Sequence, residues 1–343
     1  MNVIISLDYE LFFGARHGTP EKCLVEPCDA LLKVTDQFGG QLVFFIDAGY
    51  LVKLNQYRTV DREVEREASV VFRHLEALSQ AGHELQLHVH PHWEDTRRIG
   101  RGWHFDLRRY ALHDFESSEI KAVIMKYKDA LIQFTDSSRV ICYRAGGWVI
   151  QPFADIAPAL RENGIWVDST VFPGGCARDS TQVFDFKGAP NKDHWWFGDD
   201  PVVEVDGGSF LEIPISSIPV PPWNYWSLAF GKLAGNKSSR AWGNGASIPL
   251  GKGDLASKLL RPTVSVASID GEKAKWLARG YQRRLAQGGH CFTVLGHPKA
   301  LTRDSLAQLE KFLLARPEIE LMGYHRYLAG EGLIQQSGES VSE

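Results

Sequence analysis

Three histidines fall at alternate positions within five residues, in the stretch HVHPH at positions 88–92 of this 343-residue chain. Imidazole is a common protein ligand for zinc and similar ions. His88 and His92 are four residues apart, a spacing that lets two imidazoles meet one ion across a tight turn. We therefore expect these two to bind a metal, with His90 beside the ligands and the upstream His83 in a structural role.

Two carboxylates near the start of the chain could complete such a site. In the stretch SLDYE, Asp8 and Glu10 alternate with other residues, so on a β-strand both side chains would point the same way. Two carboxylates on one side of an otherwise apolar strand are costly unless they are paired or bind a cation. The open alternative is a strand that ends near Leu7 and leaves both acids in solvent.

Three more polar groups stand in or just after apolar runs that are typical of strands. Arg144 ends the run VICYR and precedes Gly146 and Gly147, where a close backbone turn could present N–H donors to an oxyanion. His297, in FTVLGHP, has the chemistry of a general acid near neutral pH. Asp168, in WVDST, could orient a histidine. Each alone has an ordinary structural explanation, so the hypothesis depends on their convergence.

The elements that must position these groups alternate along the chain. Short apolar runs separated by helical patterns predict an α/β fold with a parallel sheet or barrel. In such folds the groups that follow the strands meet at one edge. The predicted strands are residues 3–7, 41–46, 84–88, 140–144, 165–168 and 290–295, and the predicted helices are residues 61–81, 116–135, 152–163, 271–288 and 303–315.

The order of these stretches resembles a known family. SLDYE, HVHPH, RAGG, WVDS and LGH follow one another like the motifs of the polysaccharide deacetylases, the NodB-homology or carbohydrate esterase 4 family. The resemblance covers about residues 3–300, and it is greatest to the branch found with bacterial surface-polysaccharide and O-antigen biosynthesis. It implies one domain over residues 1–333, an α/β fold built as a distorted (β/α) barrel of about seven parallel strands.

The same resemblance implies metal-dependent removal of an N-acetyl or O-acetyl group from a sugar. By position, Asp8 matches the catalytic base and Glu10 the carboxylate ligand, beside the ligands His88 and His92. The implied cofactor is one divalent metal, zinc by default, with cobalt, nickel or manganese as alternatives. Here Tyr9 separates two acids that are adjacent in the family, which leaves open which carboxylate binds the metal.

The remaining roles also come from the resemblance. Arg144 would hold Asp8 in place, and His297 would be the general acid, oriented by Asp168. The family's R-x-P turn is R-A-G-G here, so an oxyanion donor at Gly146 or Gly147 is an expectation rather than a match.

An aromatic-rich stretch interrupts the alternating pattern. Residues 195–255 are rich in Trp, Pro and Gly and are expected to form an insertion within the domain. Trp148, Trp223 and Trp226 are candidates for stacking on sugar rings, and packing over the barrel mouth is the alternative. The polar tail, residues 334–343, is expected to be disordered.

Composition excludes several classes of partner. A net charge of −4 gives no basic field for nucleic acid, and no apolar stretch is long enough for membrane insertion. Five scattered cysteines without a C-x-x-C pair fit a reducing compartment, and the N-terminus lacks the unbroken apolar run of a signal peptide. We therefore expect a cytoplasmic protein whose partner is an acetylated sugar, free or linked to a nucleotide or a lipid.

Two other functions fit parts of the pattern. His88 and His90 could be the H-x-H pair of a TIM-barrel amidohydrolase that acts on a non-sugar amide. A carbohydrate-binding pseudoenzyme would use the aromatic residues without turnover. Which pair of imidazoles contacts the metal separates the first alternative from the deacetylase, and acetate release separates the second.

Overall fold

The computed structural model describes residues 1–14, 16–179, 181–222, 237–246 and 262–334. The strands in chain order are β1 (Asn2–Tyr9), β2 (Val43–Asp47), β3 (Glu84–Val89), β4 (Arg97–Ile99), β5 (Gly102–His104), β6 (Cys142–Ala145), β7 (Val167–Asp168), β8 (Cys176–Arg178), β9 (Val183–Asp185), β10 (Trp195–Phe197), β11 (Phe210–Glu212), β12 (Ser217–Val220), β13 (Thr263–Val266), β14 (Cys291–Gly296) and β15 (Glu320–Leu321). The α-helices are α1 (Glu26–Thr35), α2 (Ala48–Tyr57), α3 (Arg62–Gln80), α4 (Ser117–Leu131), α5 (Ala157–Glu162), α6 (Leu277–Ala286), α7 (Arg303–Leu314) and α8 (Tyr324–Gly330).

A curled, mostly parallel sheet forms a half-barrel at the centre, which confirms the predicted fold class. Its strand order is β10-β11-β7-β6-β3-β2-β1-β14, with β15 also paired to β1. Every pairing in it is parallel except that of β10 with β11. The strands β2, β3 and β14 are buried along their whole length because helices and loops cover both faces of the sheet.

Backbone outside the strands links the far edge of β14 to the chain that follows β11. Ser216 donates its N–H to the Thr293 carbonyl at 3.0 Å, and Leu295 donates to Ala267 at 2.9 Å. Ile269 returns a hydrogen bond to the Leu295 carbonyl at 3.0 Å. These bonds satisfy the edge of β14, which would otherwise present unpaired backbone groups.

Five of the eight helices among the described residues overlap the predicted ones, whereas α1, α2 and α8 were not predicted. Capping residues set some of their ends. Asp61 accepts hydrogen bonds from the Glu63 and Val64 N–H groups, so α3 begins one residue after it. Two predicted helices are shorter than expected because their first turns are 3-10 helices, Phe153–Asp155 before α5 and Gly271–Trp276 before α6. No helix among the described residues is long and apolar enough to cross a membrane.

The aromatic-rich stretch lies only partly within the described residues. Its first strands, β10 and β11, pair with the central sheet, so that part of the expected insertion belongs to the sheet itself. Trp223 and Trp226 lie outside the described residues, as does the tail from residue 335 onward.

The parallel register brings the polar groups to one edge. His88 pairs with Arg144 in β6 on one side and with Asp47 in β2 on the other. Asp8 stands one residue before the end of β1, next to β14, which is followed directly by His297. Carboxyl ends of parallel strands share an edge, and the functional groups of such folds collect there.

Candidate metal centre

Three buried side chains converge at this edge: Glu10, His88 and His90. Glu10 Oε2 lies 2.6 Å from His90 Nε2 and 3.4 Å from His88 Nε2. Neither Glu10 Oε2 nor His88 Nε2 has a well-formed hydrogen bond with a described residue, although both atoms are buried. Buried polar atoms are almost always satisfied, so a carboxylate oxygen and imidazole nitrogens that converge in this way fit a divalent cation.

The ring of His88 is oriented by its other nitrogen. His88 Nδ1 lies 3.0 Å from the Arg144 carbonyl oxygen, which can only accept, so Nδ1 carries a hydrogen and Nε2 faces the other two groups. Burial lowers the pKa of His88, but the Asp8 and Glu10 carboxylates outweigh burial and raise the pKa overall. A cation at Nε2 would therefore replace a proton that the carboxylates favour.

His90 is held against a glycine with no space to spare. A Cβ atom on Gly146 would lie 2.4 Å from His90 Nδ1, so only glycine lets the ring occupy this position. Burial lowers the pKa of His90 to about 4, which keeps the imidazole neutral near pH 7. A neutral imidazole is the form that binds a metal.

The positions of His90 and His92 are the reverse of the expected ones. The backbone stays extended through His90, so residues 88 and 90 share one face in the two-residue period of a strand. His92 falls in the 3-10 helix Pro91–Glu94 that follows. Its ring stacks on Tyr110 at 5.8 Å between centroids and is not in the converging group. A turn that began at His88 would bring the rings of His88 and His92 to one point. The chain turns only from Pro91, so the two rings do not meet.

Asp8 is fixed on one side and faces the site on the other. Its Oδ1 accepts a hydrogen bond from Arg144 Nη1 at 2.7 Å, as expected for this pair. Its Oδ2 lies 3.5 Å from His297 Nε2 and 4.0 Å from His88 Nε2. Arg144 is fully buried and also donates to Ser6 and to the Ser169 carbonyl oxygen, so the guanidinium itself is rigid.

His297 is oriented by Asp270, a residue that the sequence reasoning missed. Asp270 Oδ2 lies 2.7 Å from His297 Nδ1, and Oδ1 accepts the backbone N–H of His297 at 2.7 Å. Burial lowers the pKa of His297, but the carboxylates of Asp270, Asp8 and Glu10 together outweigh burial and the pKa is raised overall. His297 Nε2 faces the site, 3.7 Å from Glu10 Oε1.

Asp168 was expected to orient His297, and the structure places it elsewhere. Its carboxylate accepts hydrogen bonds from the Thr170 N–H and hydroxyl, and it shares a side-chain hydrogen bond with the buried Glu212. β7 lies on the opposite side of the sheet from β14, with β6, β3, β2 and β1 between them. Asp168 is therefore part of the interior of the fold.

A second missed residue is Lys299, two residues beyond His297. Its Nζ donates to Glu10 Oε1 at 2.9 Å and to the Leu11 carbonyl oxygen at 2.6 Å. Burial would raise the pKa of Glu10, but Lys299, together with His90 and His88, holds that pKa well below its usual range. No pattern in the sequence indicated this contact, because the residues that follow His297 form a 3-10 helix rather than a strand.

Five of the residues described above, Asp8, Glu10, His88, His90 and His297, line one pocket of about 120 Å³. Gly147 and Trp148 form one wall, both with positive φ angles, near +60°. The whole lining consists of Asp8, Glu10, Phe13, His88, His90, Tyr110, Gly147, Trp148, Gln182 and His297. The pocket thus combines a fixed carboxylate, a candidate cation site and a histidine with a raised pKa. These groups have the chemistry of a base, an electrophile site and an acid.

Comparison with solved structures identifies the fold. No protein-family model matches the sequence, and no curated protein matches it. The structure is similar to that of Puue allantoinase, with a TM-score of 0.51 and 12% identity over 97% of this chain and 92% of that one. It is similar to a probable polysaccharide deacetylase from Pseudomonas aeruginosa PAO1, with a TM-score of 0.50 and 12% identity over the same shares of the two chains.

A 4-alpha-glucanotransferase from Thermococcus litoralis also aligns, with a TM-score of 0.50 and 11% identity over 96% of this chain and 38% of that one. Identities this low establish the fold alone. The chain is thus structurally similar, at low identity, to polysaccharide deacetylases, and its curled half-barrel is of the NodB-like type.

Proposed function

We propose that the protein is a metal-dependent deacetylase that removes an acetyl group from a sugar. The observation that carries the proposal is the convergence of three units on one pocket. These units are Asp8 with Arg144, the group Glu10–His88–His90, and His297 with Asp270. A structural role alone does not require a base, a cation site and an acid to face the same 120 Å³.

Glu10, His88 and His90 would hold the divalent ion. One carboxylate and two imidazoles suit zinc best, and they also accept cobalt, nickel or manganese. The unsatisfied Glu10 Oε2 and His88 Nε2 are the atoms whose chemistry fits such an ion. A bound divalent ion supplies Lewis acidity, lowering the pKa of water and polarising a carbonyl group.

Asp8 is the proposed base. Arg144 occupies Oδ1, which leaves Oδ2 as the oxygen that can take a proton from the attacking water. The acceptors around the guanidinium, the Ser169 carbonyl oxygen and the Ser6 hydroxyl, hold Arg144 and through it the Asp8 carboxylate, so the base does not have to be reoriented during the reaction.

His297 is the proposed acid. Asp270 binds Nδ1, which leaves Nε2 as the atom that faces the pocket and can protonate the departing amine or alcohol. The raised pKa keeps this imidazole protonated to a higher pH than a free histidine. Of the two glycines expected to supply the oxyanion donor, Gly147 lines the pocket, and its N–H is the proposed donor.

The size of the pocket indicates what enters it. Pockets that enclose a drug-sized ligand are usually about 300 Å³ or more, and this one is about 120 Å³. We infer that the acyl group enters and that the sugar ring stays near the mouth, beside Trp148. From the resemblance of the motifs, the sugar would belong to a bacterial surface polysaccharide or to its nucleotide- or lipid-linked precursor.

A panel of acetylated amino sugars tests this function by acetate release. The chain loaded with Zn²⁺ should release acetate from at least one of them, and Asp8→Asn should abolish turnover while it keeps the ion. Sugar binding without acetate release would instead support a binding protein. Undiminished turnover by ion-loaded Asp8→Asn would remove Asp8 as the base.

A second candidate is hydrolysis of a non-sugar amide. Two observations favour it. The imidazoles that converge with Glu10 are His88 and His90, the H-x-H pair expected of an amidohydrolase. The fold is also similar to that of an allantoinase, with a TM-score of 0.51 against 0.50 for the polysaccharide deacetylase. The same three units would serve, because a carbonyl carbon is attacked in both reactions. Allantoin included in the panel separates the two candidates directly.

A further inference from the structure

Lys299 contacts the candidate metal ligand Glu10 from behind the pocket. It lies in the 3-10 helix Pro298–Ala300 that follows β14, and it does not line the pocket. Its Nζ donates a hydrogen bond to Glu10 Oε1 at 2.9 Å. The other oxygen of the same carboxylate, Oε2, faces His88 and His90. One carboxylate is thus shared between a fixed ammonium and the cation site.

The lysine is held in place independently of Glu10. Its Nζ donates to the Leu11 carbonyl oxygen and lies 4.9 Å and 5.2 Å from the ring centroids of Phe12 and Phe13. Its own carbonyl oxygen accepts the Gly243 N–H at 3.1 Å. With 9% of its surface exposed, it cannot move out to solvent without breaking these contacts.

The charges of the site are already paired before any ion enters. Arg144 neutralises Asp8, His297 pairs with Asp270, and Lys299 neutralises Glu10. A divalent ion beside Glu10 would therefore meet a carboxylate whose charge is offset by an ammonium on its other oxygen. The Lys299 ammonium and the divalent ion would both be positive and would lie on either side of one carboxylate. They would repel each other, and the repulsion is strong where water is excluded.

We propose that Lys299 is a positioning residue that restricts Glu10 to one ligand oxygen and weakens the binding of the divalent ion, leaving the ion's charge less neutralised for the substrate carbonyl. This inference rests on the proposed function and deepens it. The benefit is a stronger Lewis acid with more open coordination positions, and the cost is a looser hold on the ion.

Replacing Lys299 by a neutral residue tests the inference through ion affinity, with no substrate present. Lys299→Met keeps the length of the side chain and its packing on the two phenyl rings. We expect it to lower the Kd for Zn²⁺ about 10-fold or more, because the change removes a positive charge beside the ion's carboxylate ligand. Changes of about this size are usual when the partner of a metal ligand is replaced. Isothermal titration of the purified, metal-free chain gives the Kd.

Lys128→Met is the matched control. Lys128 is as little exposed as Lys299, and its Nζ donates to the Asn163 carbonyl oxygen, away from the site. Its Kd for Zn²⁺ should equal that of the wild type. Should Lys299→Met fold poorly, Lys299→Gln keeps a donor for the Leu11 carbonyl oxygen without the charge, and the same tightening is expected.

The outcomes separate this inference from the proposed function. Unchanged or weaker Zn²⁺ binding by a folded, neutral variant at position 299 overturns the role of Lys299. A wild-type chain that binds no divalent ion overturns the metal centre itself and, with it, this inference. In the Co²⁺-substituted chain, the visible spectrum should also change in Lys299→Met, because Glu10 can then bind through both oxygens.

Discussion

His297 and Asp270 are joined at two points, through the imidazole Nδ1 and through the backbone N–H of His297, both at 2.7 Å. This double contact fixes the ring and its tautomer, so that Nε2 is the atom presented to the pocket. His297 directly follows β14. Asp270 stands at the end of the segment that hydrogen-bonds to the outer edge of β14. The proposed acid, His297, is thus positioned by the same segment whose backbone contacts satisfy the edge of the sheet.

Asp270→Asn should lower turnover and shift its pH dependence. Asp270 raises the pKa of His297, and the protonated imidazole is the form that donates. Loss of the carboxylate lowers that pKa, so the alkaline limb of the pH profile of kcat should move to lower pH. The expected loss in kcat at neutral pH is about 100-fold.

Asp168→Asn is the matched control for this prediction. Asp168 contacts Thr170 and Glu212 rather than His297, so the variant should leave the alkaline limb where it is in the wild type. A shift of that limb in Asp168→Asn, with none in Asp270→Asn, would return the orienting role to Asp168.

His90→Ala should weaken ion binding, whereas His92→Ala should lower the stability of the fold and leave ion binding unchanged. His90 Nε2 lies at the cation site, so its loss should weaken Zn²⁺ binding about 100-fold, measured by titration of the metal-free chain. His92 stacks on Tyr110 and Trp93, so its loss should leave the Kd unchanged and lower the free energy of unfolding by about 1–3 kcal/mol. If His92→Ala loses the ion while His90→Ala keeps it, the imidazole ligands are His88 and His92 instead.

Gly146→Ala should disturb the cation site without removing any ligand. The added Cβ would stand 2.4 Å from His90 Nδ1, so the imidazole must leave its present position beside Glu10. We expect weaker Zn²⁺ binding in a folded chain, read from the ion content after gel filtration. Gly188→Ala is the control, because its Cβ would meet no atom within 4 Å, and its ion content should equal that of the wild type.

Glu212→Gln should change how stability depends on pH. Burial, together with Asp168, raises the pKa of Glu212 well above its usual value of 4.5, so the folded chain holds a proton here that the unfolded chain releases. Stability from this group is complete below its unfolded pKa and is lost as pH rises through the folded pKa. Gln cannot release a proton.

The stability of Glu212→Gln relative to the wild type should therefore increase between pH 5 and pH 8, by at most about 1.4 kcal/mol per pH unit. Urea unfolding of both chains across this range gives the difference. A constant difference would mean that Glu212 is ionised in the folded chain.

The central strands were predictable from the sequence because their residues are apolar on both faces. Runs such as residues 43–47 and 291–296 are buried throughout, and parallel pairing follows from the helices between them. The polar residues at the strand ends could be predicted to converge for the same reason. Asp8, Arg144 and His297 lie where that argument places them.

The details that failed depend on where a strand ends and on contacts between distant segments. His90 rather than His92 faces Glu10 because the backbone stays extended through His90, two residues beyond the predicted end of the strand. Asp270 reaches His297 through an irregular segment beside β14, whose register no local pattern specifies. Lys299 has an ordinary surface composition around it, and only the fold buries it under Phe12 and Phe13.

The number of divalent ions bound per chain tests the central claim most directly. Native mass spectrometry of the chain after incubation with Zn²⁺ and gel filtration should show about one ion in the wild type, and none in a folded His88→Ala variant. A folded wild-type chain without an ion, or a His88→Ala chain that retains one, would contradict the assignment of Glu10, His88 and His90 as a metal centre.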